Sequence, residues 1–204
     1  MPRRFALPKL VVATHNLGKA QEIRTMLAPF GVEIVSMADL GLPAPAETGT
    51  TFERNATIKA LAATRASGLP ALADDSGLSV HALGGEPGVY TADWEGPTRD
   101  AMVGMQRIQD ELAKRGVPDT DDARRATFHC VLALAWPDEH VEPVHGSLEG
   151  RIVWPPRGSG GHGYDPCFQP VGETRTNAEM SAPEKNALSH RGRAFARLVE
   201  TCFR

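Results

Sequence analysis

The segment up to Val35 places one amphipathic stretch between two short apolar runs, and this order restricts the start of the fold. Leu10 to Ala13 is an apolar run of strand length, and a second run spans Val32 to Val35. Between them, apolar side chains recur at helical spacing until Gly31, namely Leu17, Ala20, Ile23, Leu27 and Phe30. We therefore predict that the chain opens with a β-α-β unit.

Helical and strand-like patterns continue to alternate along the rest of the chain. Thr50 and Glu53 have the spacing of a capping box, and the Ala-rich helix that follows ends at Gly68. Further along we predict a strand over Ala71–Leu83, a helix over about Arg99–Arg115, strands over Ala126–Trp136 and Val141–Val153, and a helical tail from Ser181 with Phe195, Leu198, Val199 and Cys202 on one seam. No repeat or linker divides the chain. We expect one α/β domain over residues 1–204, with helices on both faces of the sheet.

Charge and cysteine usage exclude several classes of partner. The 204 residues carry a formal net charge of −3, so neither nucleic acid nor an anionic membrane attracts the chain as a whole. Cys130, Cys167 and Cys202 show no Cys-x-x-Cys spacing, which fits a reducing cytoplasm. The longest apolar run, Cys130 to Trp136, is too short to cross a bilayer. We expect a cytoplasmic protein.

The loop between the first strand and helix is suited to anions. Thr14 offers a hydroxyl, Asn16 suits the helix N-cap, and Lys19 adds a positive charge in the first turn. Unpaired N–H groups and the helix dipole favour phosphate at this position. Ala13 and Ala20 replace the first Gly and the Ser/Thr of a Walker A motif, so the chain is not a P-loop NTPase. The alternative is an ordinary capped helix with a solvated lysine.

Two adjacent carboxylates, Asp74 and Asp75, interrupt an apolar strand pattern. Successive strand residues point to opposite faces, so at least one carboxylate must meet a cleft or a cation. Oxygen ligands of this kind suit Mg²⁺, and Glu47 and Glu53 are possible additions. The alternative is a solvated Asp-Asp-Ser-Gly turn.

The segment from Gly158 to Gly163 matches G-x-G-x-x-G, the dinucleotide-binding pattern. Tyr164-Asp165-Pro166 follows it, and Pro166 pushes Asp165 towards extended geometry where that pattern requires a helix. We therefore interpret it either as a loop that delivers His162, Tyr164 and Asp165 to a ligand, or as a plain glycine turn.

The tail combines a capping box with basic side chains. Ser181 and Glu184 form the box, and Ser189 is placed to cap a second helix. A break near Ser189 would bring Lys185, His190 and Arg191 together, whereas one unbroken helix would spread them around its axis as a solvated basic face.

Five motifs occur in a specific order: T-H-N-x-G-K, E-T-G-x-T-F-x-x-N-A-x-x-K-A, A-D-D-S-G-L, G-x-G-Y-D-P and E-K-N-A-x-S-H-R-G. Together they resemble the inosine triphosphate pyrophosphatase family over nearly the whole chain. The resemblance implies an elongated mixed sheet, two lobes with a nucleotide cleft between them, a homodimer, and Mg²⁺-dependent hydrolysis of ITP, dITP or XTP to the monophosphate and pyrophosphate.

The resemblance also implies roles for individual residues. Asp75 is similar in position to the catalytic carboxylate, and Asp75, Glu47 and Asp74 to metal ligands. Ser76 is similar in position to a substrate contact, and Lys59 to a lysine near the phosphates. Phosphate-loop contacts are implied for Thr14, His15, Asn16, Leu17, Gly18 and Lys19. Contacts on the base side are implied for His162, Gly163, Tyr164, Asp165, Lys185, His190 and Arg191.

Two departures from the family pattern stand out. Ala46 precedes Glu47 where many relatives have a second acidic residue, and His162 stands where many have an aromatic one. Two other functions share these motifs, a nucleotide sensor without turnover and a pyrophosphatase for altered pyrimidine nucleotides. The Asp74-Asp75 pair argues against the sensor, since carboxylates repel phosphates.

Overall fold

The computed structural model describes residues 2–204, with the backbone alone for Leu17 and Gly18. The strands are β1 (Lys9–Val12), β2 (Glu33–Ser36), β3 (Ala71–Val80), β4 (Pro87–Gly88), β5 (Arg125–Ala135), β6 (Val141–Ile152) and β7 (Phe168–Pro170). The helices are α1 (Leu17–Leu27), α2 (Phe52–Ser67), α3 (Ala101–Lys114), α4 (Ala182–Leu188) and α5 (His190–Leu198), and a π-helical turn over Val199–Phe203 follows α5. Among the described residues, no helix has both the length and the apolar character to cross a membrane.

The strands form one mixed sheet, as the sequence predicts. Its order is β2-β1-β3-β5-β6-β7, and β4 pairs with β3 outside this path. Strand β1 runs parallel to both β2 and β3, with Val12 opposite Ser36 on one side and Leu72 on the other. The β3–β4 and β6–β7 pairs are antiparallel. The predicted β-α-β opening is confirmed, because α1 connects the parallel strands β1 and β2.

The chain divides into two compact units, which are described separately. The first unit comprises Met1–Asp75, Val131–His145 and Ala194–Arg204. Its core is rich in alanine, since Ala56, Ala60 and Ala63 of α2 pack with Ala71 and Ala73 of β3. Small side chains at helical spacing allow the α2 backbone to approach the strands closely, and Lys59 of α2 lies beside Asp75 in the middle of β3.

The second unit comprises Ser76–Cys130 and Gly146–Arg193. Met105, Ile108 and Leu112 of α3 lie in its core. The rings of Phe128 and Phe168 pack there with centroids 4.4 Å apart.

The single domain over 1–204 stays a prediction.

Most element boundaries lie within two residues of the predicted ones, and one capping prediction is wrong. Thr51, not Thr50, caps α2, because Thr51 has extended backbone angles and its Oγ1 accepts from the Arg54 N–H at 3.2 Å. Strand β3 ends at Val80, where a 3₁₀ turn over His81–Leu83 replaces the predicted continuation. The predicted helix stop at Gly68 is confirmed by its left-handed φ of 69°.

Gly104 in the middle of α3 gives a test of the packing in the second unit. A Cβ at this position would overlap the hydroxyl oxygen of Tyr164, which donates to the Thr91 carbonyl at 2.8 Å. We expect Gly104→Ala to lower the free energy of unfolding by about 1–3 kcal/mol, although alanine is the better helix former. Urea denaturation measures this change. Val103→Ala, at a half-exposed position on the same helix, is the control and should change it by less than about 0.5 kcal/mol. A more stable Gly104→Ala variant would contradict the described packing.

Candidate functional site

The loop between β1 and α1 is fixed by its own side chains. Asn16 is the N-cap of α1, and its Oδ1 accepts from the Lys19 N–H at 3.0 Å. The Thr14 hydroxyl oxygen accepts from the Asn16 N–H at 3.1 Å. The predicted capping role of Asn16 is confirmed, and the positive end of the helix dipole lies at this loop.

Three further residues predicted in this loop are His15, Leu17 and Gly18, and the structure describes the side chain of His15 alone. The His15 ring is paired with the Leu42 carbonyl, with 2.8 Å between Nε2 and that oxygen. A phosphate contact through this ring would have to compete with that pairing. Leu17 and Gly18 begin α1 by their backbone, and their predicted substrate contacts lie outside the described side chains.

Asp74 and Asp75 in β3 are each paired with a lysine from a different helix. Lys19 Nζ of α1 lies 2.8 Å from Asp74 Oδ2, and Lys59 Nζ of α2 lies 3.0 Å from Asp75 Oδ1. The Asp74 and Asp75 side chains are only 9 % and 12 % exposed. Both residues lie within a continuous strand, so the alternative of a solvated turn is excluded.

Lys59 also contacts a second carboxylate, Glu47, at 3.2 Å. Burial pulls the pKa of Lys59 down, but the attraction of Asp75, the hydrogen bond to it and the charge of Glu47 outweigh this and leave that pKa raised. Burial also raises the pKa of Asp75, and Lys59 offsets the shift only in part. A raised pKa makes the Asp75 carboxylate a stronger proton acceptor than a free aspartate.

Two polar atoms in β3 are buried without a hydrogen-bond partner in the described structure. They are Asp75 Oδ2 and Ser76 Oγ. An unpaired buried carboxylate oxygen is costly, and such atoms in native structures are often satisfied by a ligand, an ion or water. Asp75 Oδ2 therefore has free capacity to accept from a ligand or coordinate one.

The predicted metal ligands do not assemble as one group of three. Across residues 2–204, no three His, Cys, Asp or Glu side chains are placed to hold a metal ion together. Asp74 is paired with Lys19, while Glu47 and Asp75 share Lys59. Mg²⁺ bound mainly through substrate phosphates needs only one or two protein carboxylates, and the unpaired oxygen of Asp75 fits that requirement.

In the second unit, the glycine-rich loop ends at a buried carboxylate. Asp165 is 3 % exposed. Its Oδ2 accepts from the His162 N–H at 2.6 Å and from the Lys185 ammonium, and its Oδ1 accepts from the Asn177 amide at 3.0 Å. Gly161 has a φ of 73°, and a Cβ there would overlap the Asp165 carboxylate. Only glycine permits this close approach.

The rejection of a dinucleotide-binding motif is confirmed, because a short 3₁₀ turn over Asp165–Cys167 follows the glycines in place of an α-helix. The expected extended geometry of Asp165 is wrong, because Asp165 is the first residue of that turn. The prediction for Tyr164 needs a correction. Its side chain is buried in the core and its hydroxyl donates to the Thr91 carbonyl, so any substrate contact must come from its main chain. His162 is exposed, and Gly163 is partly exposed with a left-handed φ of 58°.

The tail breaks near Ser189, which is one of the two alternatives that the sequence leaves open. Ser181 and Glu184 form the capping box of α4. Ser189 is extended, and its hydroxyl oxygen accepts from the Gly192 N–H at 2.9 Å at the start of α5. The break allows Lys185 of α4 to reach Asp165 while His190 starts a new helix. A single solvated basic face is therefore excluded.

His190 is held in an apolar setting. Its ring stacks on Phe128 with centroids 5.0 Å apart and an interplanar angle of 12°, and its Nδ1 is buried without a hydrogen-bond partner in the described structure. Burial, together with the charge of the neighbouring Arg191, lowers the pKa of His190 from 6.5 to about 3. The imidazole is therefore neutral at physiological pH and has an unsatisfied nitrogen.

No motif in the sequence indicates a role for Asn177. A signal was present, because Thr176 and Glu179 have the spacing of a capping box, and the structure shows both of its hydrogen bonds. The pattern predicts a turn at this place. It does not indicate that the buried Asn177 amide within the turn reaches Asp165.

Known proteins match this chain along nearly its whole length. A model of the Ham1 family matches residues 10–201. The dITP/XTP pyrophosphatase of Rhizobium meliloti (strain 1021) is 54 % identical over 98 % of both chains, and that of Gluconobacter oxydans (strain 621H) is 56 % identical over 95 % of this chain and 90 % of its own. A solved HAM1 protein from Coxiella burnetii has a TM-score of 0.89 at 38 % identity, covering 95 % of this chain and 98 % of its own.

The architecture is therefore the mixed α/β fold of solved HAM1 proteins. With the family model and these identities together, the chain belongs to the Ham1 family. The resemblance that the five motifs indicate is confirmed at the level of family and fold.

The neutral state of His190 can be tested by NMR. Because its pKa lies near 3, its ring signals should stay constant between about pH 8 and pH 5, where free imidazole in the same sample titrates. The folded-state pKa is below the unfolded value of 6.5, so the unfolded chain takes up the proton first as the pH falls. The free energy of unfolding should therefore decrease from about pH 6.5 towards pH 3, and less steeply in His190→Gln. A midpoint near 6.5 for the assigned His190 signal would refute the buried neutral state.

Proposed function

We propose that this protein hydrolyses non-standard purine nucleoside triphosphates, namely dITP, ITP and XTP, to the monophosphate and pyrophosphate. The curated relatives with 54 % and 56 % identity carry the name dITP/XTP pyrophosphatase. The observation that carries the proposal for this chain is the buried pair of Asp75 and Lys59, with Asp75 Oδ2 unsatisfied. A carboxylate with a raised pKa and a free oxygen is suited to accept a proton from water.

The phosphates are proposed to contact the first unit. The positive end of the α1 dipole lies at this loop and favours anionic oxygens, and the Thr14 hydroxyl, whose oxygen accepts from the Asn16 N–H, keeps its proton to donate to them. Lys19 and Lys59 are the charges that neutralise Asp74 and Asp75 in the described structure, and they are also the cations that a triphosphate requires. Substrate binding would then exchange the ion-pair partners of these two lysines.

In the chemical step, Asp75 orients a water molecule and accepts one of its protons while the water oxygen attacks the α-phosphorus. The bond from the α-phosphorus to the oxygen that bridges it to the β-phosphorus breaks, pyrophosphate leaves with that oxygen, and Lys19 and Lys59 stabilise negative charge on the phosphate oxygens. Bound Mg²⁺, for which Asp75 with Glu47 and Asp74 are the proposed ligands, would supply further neutralisation of that charge. We propose that turnover requires Mg²⁺.

The base is proposed to contact the second unit. Lys185 and Arg191 are donors suited to a 6-oxo purine, and the neutral His190 has a free ring nitrogen for the same edge. An adenine 6-amino group would face these donors with another donor and leave them unpaired, which is a strong basis for rejection. The exposed His162 and the main chain of Gly163 are proposed to contact the base from the glycine-rich loop.

Substitution of Asp75 tests the catalytic assignment. Asp75→Asn keeps the size of the side chain but removes the proton acceptor, so kcat for dITP should fall by roughly 10²–10⁴-fold while the fold is retained. Steady-state kinetics and circular dichroism measure the two effects. Asp39→Asn, which changes an exposed carboxylate paired with Arg24, is the matched control and should keep kcat within about twofold. Parental turnover in folded Asp75→Asn would remove Asp75 from the mechanism.

A substrate panel tests the base assignment. Monophosphate formation from dITP, ITP, XTP, GTP and ATP is followed by chromatography, with Mg²⁺ and with chelator. We expect the first three to exceed ATP by roughly 10⁴-fold in kcat/KM, because an adenine would leave the proposed donors unpaired. Chelator should abolish all turnover. Equal rates on all five would refute the base readers, while faster turnover of altered pyrimidine nucleotides would favour that alternative substrate class.

We also propose that the protein acts in the cytoplasm as a homodimer. The assembly is tested by light scattering coupled to size exclusion, which should give twice the chain mass of 21.9 kDa. A monomer mass across micromolar concentrations would contradict the dimer.

A further inference from the structure

The turn Thr176–Glu179, called here the anchor turn, is built more firmly than its length suggests. The Glu179 carboxylate accepts from the Thr176 N–H at 2.7 Å, and the Glu179 N–H donates to the Thr176 carbonyl at 3.1 Å. Thr176 and Asn177 are both almost fully buried. A turn that is closed by two hydrogen bonds, with Thr176, Asn177 and Ala178 buried, has little freedom to move.

The anchor turn bonds to the glycine-rich loop at three places. The Thr176 hydroxyl donates to the Arg157 carbonyl at 2.8 Å, and the Gly160 N–H donates to the Ala178 carbonyl at 3.0 Å. The third bond, from the Asn177 amide, reaches Asp165. These bonds hold the start, the middle and the end of the loop over residues 157–165.

The bond from Asn177 controls the orientation of the Asp165 carboxylate. Asp165 Oδ1 accepts from Asn177, while Oδ2 accepts from the His162 N–H and from Lys185. Because the carboxylate is rigid and planar, fixing Oδ1 also fixes the direction that Oδ2 presents to its two donors. Without Asn177, the buried Oδ1 would lack this partner, and rotation about the Cβ–Cγ bond would move both His162 and Lys185.

We propose that Asn177 is a positioning residue for base recognition, acting through Asp165 to set the places of His162 and Lys185. The inference rests on the proposed function in assigning these two residues to the base. Asn177 itself contacts no substrate in this account. Its effect should therefore fall on affinity more than on the rate of the chemical step.

The test compares the parent with Asn177→Ala in two measurements. Titration calorimetry with dITP and chelator gives Kd, and steady-state kinetics with dITP and Mg²⁺ give KM and kcat. The variant loses the hydrogen bond from Asn177 to the charged Asp165 carboxylate. We therefore expect both Kd and KM to rise by about tenfold or more, while kcat stays within about threefold. Unchanged Kd and KM in the folded variant would overturn the proposal.

A matched control separates positioning from general loss of stability. Gln109 Oε1 accepts from the buried Arg124 at 3.0 Å in the same unit, and Gln109→Ala removes a comparable bond to a charge. It should lower the melting temperature without raising Kd. A similar rise of Kd in Gln109→Ala would show that the effect of Asn177→Ala is only structural and would also overturn the proposal.

Two further outcomes are distinguishable. If Asn177→Ala does not fold, Asn177→Leu nearly retains the side-chain shape and lacks any donor, and it should raise Kd at least as much. An unchanged Kd in that variant refutes the positioning role. If the parent binds dITP but releases no pyrophosphate, the proposed function fails, while the comparison of Kd values still decides the role of Asn177.

Discussion

Two adjacent carboxylates inside a β-strand impose the main constraint on the first unit. Asp74 and Asp75 are nearly buried, and their side chains leave the strand in opposite directions, so one cation cannot neutralise both. The protein meets this requirement with Lys19 from α1 and Lys59 from α2. The alanine face of α2 and the Asn16 cap of α1 position the helices that carry these two lysines, so they contribute to the neutralisation of the carboxylates.

Neutralisation is incomplete at one atom. Asp75 Oδ2 is buried without a partner in the described structure, and burial keeps the pKa of the carboxyl above its usual value despite Lys59. A purely structural ion pair would be more stable with both oxygens satisfied. The energetic cost of an unsatisfied oxygen is consistent with a group retained for reaction with a ligand. The second unit shows the same feature at His190, whose buried Nδ1 is unpaired and whose ring is kept neutral.

Local patterns predicted much of this arrangement. The capping role of Asn16, the stop at Gly68 and the break at Ser189 each depend on neighbouring residues and are confirmed. The spacing of Thr50 to Glu53 fits a capping box and predicts a cap at Thr50, but the backbone angles select Thr51. Spacing alone cannot distinguish two adjacent threonines.

Local sequence patterns do not predict which distant residues form ion pairs or hydrogen bonds. Lys19 lies 55 positions before Asp74, and no periodicity links them. The sequence indicated that a buried Asp needs a cation without identifying which one. The position of Tyr164 in a glycine-rich loop predicts a ligand contact for its side chain. In the structure that side chain lies in the core, where the absence of a side chain at Gly104 leaves space for it. The bond from Asn177 to Asp165 likewise depends on how a turn packs against a loop.

The central claim is that the two lysine-paired carboxylates support release of pyrophosphate in one step. Phosphorus NMR of a reaction with dITP and Mg²⁺ tests it most directly, because it identifies the products instead of measuring a rate. The account predicts equal amounts of pyrophosphate and deoxyinosine monophosphate, with no diphosphate intermediate and no initial orthophosphate. Formation of orthophosphate with the nucleoside diphosphate would contradict it.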